Sequence, residues 1–104
     1  MKQFDIYEVA LNPTKGAEIN KTRPGIIVSP DMLNNNLKTV IVAPLTHTIK
    51  DYPSRVLSHF KGQEGQVVLD QLRAVDKSRL KRKLGRLDAT TAKDIKAVLV
   101  TMFS

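Results

Sequence analysis

Arg23 stands immediately before Pro24, at the head of the apolar run Ile26-Ile27-Val28. Its guanidinium fork can hold two phosphate oxygens at once and follow charge as it grows in a transition state. The plain alternative is a surface arginine paired with a carboxylate. Thr46 closes the most β-prone run of the chain, Thr39 to Leu45. Its hydroxyl can donate to a phosphate oxygen, or it can be an ordinary β-branched strand residue. Glu18 lies in a polar loop and could accept a proton, best with a raised pKa; otherwise it caps backbone amides or pairs with Arg23. His47 follows Thr46 directly, and an imidazole exchanges protons near neutrality. It could protonate a leaving oxygen, or be a solvated loop residue. His59 falls mid-strand and reads as structural. The two histidines show no zinc-type spacing and the chain has no cysteine, so neither a metal nor another cofactor is expected.

Charge says what such groups would act on. The 104 residues carry a formal net charge of +7, with a pI near 9.9. That favours a polyanionic partner through steering and counterion release. Six of the ten residues from Lys77 to Arg86 are basic, Arg79 and Arg82 among them. Such a run is a solvated face, a grip on RNA phosphates, or an attractor for an acidic protein tail. With two Tyr, three Phe and no Trp, extensive stacking of bases on aromatic rings is not expected. No apolar run approaches the roughly 18 residues of a membrane span, and the N-terminus lacks signal-peptide features. The expectation is one cytoplasmic domain over residues 1–104, small enough to gain from pairing with a second copy.

The elements that must position these groups are mostly strands. Phe4 to Leu11 reads as a buried strand, and Asn12 to Gly16 as turn chemistry leading into a polar loop up to Thr22. Pro24 opens the second strand. A helical turn begins at Ser29-Pro30-Asp31 and ends in Asn34-Asn35-Asn36. Thr39 to Leu45 is the central strand, Thr46 to Ser54 a polar loop, and Arg55 to Phe60 an edge strand. Gly62 to Gly65 is read as the hairpin turn before Gln66 to Leu69, with a bend at Asp70 before Gln71 to Val75. Asp76 caps a short helix, Lys77 to Lys83, and Leu84 to Leu87 is a further strand. Asp88 caps the last helix, Ala89 to Phe103, whose Ala92, Ile95, Val98, Leu99 and Met102 make one apolar stripe. Strands first and a helix last suggest a strongly bent antiparallel sheet with a helix packed on it.

The ordered set Asn12-Pro13-Thr14-Lys15-Gly16-Ala17-Glu18, Thr22-Arg23-Pro24 and Ile27-Val28-Ser29-Pro30 resembles the N-terminal signature of the MazF/PemK (Kid-like) toxin family. Ala43-Pro44-Leu45-Thr46, Lys50-Asp51-Tyr52-Pro53 and Val68-Leu69-Asp70-Gln71-Leu72-Arg73 continue the likeness in order along essentially the whole chain. The resemblance implies an SH3-like barrel with short helices and a C-terminal helix. It implies a homodimeric endoribonuclease that cuts single-stranded messenger RNA without a metal, by attack of the 2′-hydroxyl. The ends left are a 2′,3′-cyclic phosphate and a 5′-hydroxyl. Inhibition by a small acidic antitoxin is implied too, its C-terminal segment blocking the RNA groove, with DNA reached only through that antitoxin. Arg23 and Thr46 are implied as the catalytic pair, with Glu18 as the carboxylate. Lys15, Asn20, Lys21, His47, Lys50, Asp70, Gln71, Arg79 and Arg82 are the expected RNA contacts. The Kid-type members place His where Ala17 stands and their catalytic Arg where Val68 stands, so this chain cannot use that set whole; Asp70 matches its carboxylate, or is structural. A gyrase poison of the CcdB type and a non-catalytic RNA-binding module are the alternatives on the same fold.

Overall fold

The computed structural model describes residues 1–10 and 22–104. The turn and loop expected between Asn12 and Lys21 therefore lie outside the described residues. Seven strands, β1 (Asp5–Ala10), β2 (Thr22–Ile27), β3 (Thr39–Thr46), β4 (Arg55–Phe60), β5 (Gln63–Val68), β6 (Arg73–Asp76) and β7 (Leu80–Arg86), form one curled antiparallel sheet. Two helices join them, α1 (Asp31–Asn34) and α2 (Ala89–Met102). The path runs β4-β5-β3-β2-β1-β7, and β6 also pairs with β3. Val42 pairs with Ile27 of β2 and with Arg73 of β6, so these neighbours lie on opposite edges of β3. β5 meets β3 at Leu45 and Thr46, so β5 and β6 follow one another along β3, separated by a 3-10 turn at Leu69–Gln71. The bend expected at Asp70 is that turn.

Strand alternation sends side chains to two cores. Ile6, Ile26, Ala43, Val67 and Leu69 face α2, whose Ile95 is fully buried against them. Burying one such side chain stabilises the fold by about 1.5–3 kcal/mol. Val9, Ile27, Val40, Val42, Val75 and Leu80 make a second core on the other face. Asp88 caps α2 by accepting from the Thr91 amide at 2.7 Å, and Ala92, Val98 and Leu99 pack as the stripe requires. Met102 is partly exposed beyond them.

Several boundaries differ from the sequence reading; the strand expected from Gln71 begins at Arg73, because Gln71 belongs to the 3-10 turn. The helix expected over Lys77 to Lys83 is a single 3-10 turn, Lys77–Arg79, which Asp76 caps by accepting from the Ser78 amide. Residues 80–86 continue as β7 because pairing with β1 overrides local helical preference. The β4–β5 turn is tighter than expected. Lys61 (φ 52°) and Gly62 (φ 73°) both adopt left-handed backbone, as a two-residue hairpin turn demands. Gln63 and Glu64 pair with Phe60 and His59. Pro24 is the third residue of β2, not the first, and sits opposite Glu8. Pairing of β2 with β3 begins at the next residue, Gly25.

Candidate active site

The β2–β3 ladder pairs Gly25 with Pro44, Ile26 with Ala43 and Ile27 with Val42. Continued two steps beyond the ladder, the same register sets Arg23 across from Thr46. Both are strand residues by the observed bounds. Both fall on the parity of Ile27 and Val42, which puts them on the face away from α2. Arg23 is exposed, and no carboxylate among the described residues pairs with it. The Thr46 Oγ1 accepts from the Thr48 amide at 3.2 Å. This leaves the hydroxyl proton to donate outward.

A second cation shares this face. Arg23 and Arg73 line one shallow depression of about 20 Å³, floored by Val9, Gly25, Val42 and Pro44. Arg73 opens β6 opposite Val42, on the same face. Sequence reasoning quoted Arg73 only as the end of a motif. The signal available was its parity: with Val75 buried, position 73 shares the face of Val42. The Arg23 and Arg73 side chains border one apolar depression, so two cations share this face, where positive charge can stabilise an added negative charge.

The backbone around Thr46 is held by two residues that the sequence reading did not single out. Gly65 packs so closely that a β-carbon there would lie 2.6 Å from the Thr46 carbonyl oxygen. The buried Gln66 amide clamps the following loop, accepting from the Lys50 amide at 3.0 Å and donating to the Lys50 carbonyl at 2.9 Å.

The other expected residues scatter. Lys15, Glu18, Asn20 and Lys21 lie outside the described residues. His47 turns to the side opposite Thr46, its Nδ1 3.5 Å from the Glu64 carbonyl. Lys50 is exposed in the clamped loop. Asp70 accepts from the Ser54 hydroxyl at 2.8 Å and lies 3.7 Å from Arg55 Nε, bracing the end of that loop. Gln71 is exposed beside it. Arg79 reaches the Ala10 carbonyl at 3.4 Å, and Arg82 pairs with Glu8 at 3.4 Å. Among the described residues no cluster of His, Asp or Glu could hold a metal ion, and no helix is long and apolar enough to cross a membrane.

The sequence model of the PemK-like, MazF-like toxins of type II toxin–antitoxin systems matches residues 2–103. The chain belongs to this family. It is 35% identical over 101 residues to the endoribonuclease MazF of Staphylococcus saprophyticus, covering 91% of this chain and 84% of that one. The fold is shared with MazF in a MazE–MazF crystal structure from Deinococcus radiodurans, at a TM-score of 0.83, 24% identity and coverage of 99% and 95%. It is shared also with a mycobacterial endoribonuclease solved with its cognate antitoxin, at 0.81, 23%, 99% and 94%.

Proposed function

We propose that this endoribonuclease toxin cuts single-stranded RNA at a phosphate gripped by Arg23, Thr46 and Arg73, with the ribose 2′-hydroxyl as nucleophile. The 2′-oxygen attacks phosphorus as a carboxylate, for which Glu18 is the candidate, takes its proton. Arg23 and Arg73 hold the non-bridging oxygens as their charge grows, and Thr46 donates a hydrogen bond to one of them. The bond from phosphorus to the 5′-oxygen then breaks, and that oxygen is protonated. The products are a 2′,3′-cyclic phosphate and a 5′-hydroxyl. DNA, lacking the 2′-hydroxyl, is refused. In this scheme the guanidinium groups supply the positive charge, and no metal is needed. Arginine acts electrostatically here, since with a pKa above about 12 it is a poor acid at neutral pH.

The observation that supports this reading is the β2–β3 register, whose last pair is Gly25–Pro44 and whose continuation by two residues would bring Arg23 opposite Thr46. The net charge of +7 suits RNA and equally suits a small acidic antitoxin, whose C-terminal segment would occupy the same groove. Leu57, Val100 and Phe103 remain 49%, 68% and 72% exposed. Such apolar surface fits burial against a second copy, and the working form is a cytoplasmic homodimer.

The test is digestion of a long mixed-sequence transcript, with and without chelator, followed by analysis of the fragment ends. The parental protein should cut in chelator and leave cyclic phosphates. Arg23→Ala should slow cutting by about 10²–10³-fold with the fold intact. Cutting by Arg23→Ala at the parental rate would remove Arg23 from the chemistry.

A further inference from the structure

A second cavity, of about 230 Å³, opens at the same end of the sheet but on its other face. It lies beside the gap between the terminal strands β4 and β7, where Phe60 packs against Gly85 so tightly that a β-carbon there would meet its ring at 2.8 Å. Pro24 and His47 line it. These are the chain neighbours of Arg23 and Thr46, so their Cα atoms lie one step, about 3.8 Å, apart while their side chains point to opposite faces. Phe60 and Leu84 form apolar walls, and Gln63 offers an amide at the rim. Inside, Ser58 is 1% exposed and its hydroxyl makes no hydrogen bond among the described residues. A buried hydroxyl without a partner costs stability, so its retention asks for a reason.

We propose that this cavity is a nucleobase pocket, which takes the base adjoining the cut phosphate and reads its edge through Ser58 and Gln63. The inference rests on the RNA-cleavage reading above. Single-stranded RNA is recognised by splaying bases out, packing them on aromatic or apolar side chains and hydrogen-bonding their edges. The cavity has that make-up: apolar walls, the Phe60 and His47 rings, and polar groups from Ser58, Gln63 and Lys61. Its volume lies below the roughly 300–1,000 Å³ of drug-sized sites, which suits one base and not two. A nucleotide whose phosphate sits between Arg23 and Thr46 passes its base over the strand ends into this space.

The experiment maps the 5′ ends of fragments from a long mixed-sequence transcript cut by the parental protein, by Ser58→Ala and by Gln63→Ala. Ser58→Ala deletes one oxygen that has no hydrogen-bond partner among the described residues, so the fold should persist. Gln63 is exposed in the hairpin, so its variant decides the question if the first fails to fold. The parental profile should show a strong preference at a nucleotide flanking the cut. Ser58→Ala should weaken that preference about tenfold, the worth of one hydrogen bond, with other positions unchanged. Identical profiles for all three proteins would overturn the pocket and leave the nuclease reading standing. An unchanged profile with weaker inhibition by the antitoxin would give the cavity to that protein and overturn the proposal as well. A parental protein that cuts no RNA would overturn both.

Discussion

A β-carbon on Gly65 would sit 2.6 Å from the carbonyl oxygen of Thr46. The obstacle is backbone, which cannot rotate away as a side chain would. β5 runs beside the end of β3 here, pairing Gln66 with Thr46. Gly65→Ala must therefore push the strand that carries the Thr46 hydroxyl. A misplacement of about 1 Å at a reacting group can cost 10²-fold in rate. The expected outcome is a fall in RNA cleavage of about that size, in a protein that remains folded by circular dichroism. Parental cleavage by Gly65→Ala would show that Thr46 has no strict geometric role.

Arg73 shares its depression with Arg23, and the two should act as a unit. Arg73→Ala should lower kcat/KM at least tenfold, because a charge-assisted hydrogen bond is worth about 1.5–3 kcal/mol. Groups gripping one phosphate are not additive. The Arg23→Ala/Arg73→Ala double variant should thus lose less than the product of the single losses. A double loss equal to that product would place the two arginines on separate phosphates.

Much of this arrangement could be read from residue order. The run Thr39 to Leu45 announced the central strand, and Asp88 with its apolar stripe announced α2. Arg23 and Thr46 emerged because their motifs recur in order. What escaped depends on contacts distant in sequence. Gly65 looked like a turn residue beside Gly62; only its approach to Thr46 reveals an interior strand position. Lys77 to Lys83 looked helical because Asp76 offers an N-cap there, and β1 pairing is invisible locally. Arg73 required knowing that β6 lies beside β3, and Ser58 looked like one more polar residue on an edge strand.

Asp5 yields an acid-stability prediction. Its carboxylate is almost fully buried, and burial pushes its pKa up. The Lys2 amide at 2.9 Å, Arg86 at 2.8 Å and Lys83 at 3.5 Å outweigh that and hold it below the usual aspartate value. Because the folded pKa is the lower one, the folded state favours the ionised form. The resulting stability is fully present above the unfolded value of 3.8 and is lost as pH falls through the folded pKa. Asp5→Asn keeps the shape and removes the charge, leaving two cations at the β1–β7 seam without their anion. It should cost about 1–3 kcal/mol at neutral pH. Thermal unfolding followed from pH 7 downward should show the parental advantage shrinking only in the acid range, as the two curves converge. A gap between them that stays constant into strong acid would mean that Asp5 acts through packing and not through its charge.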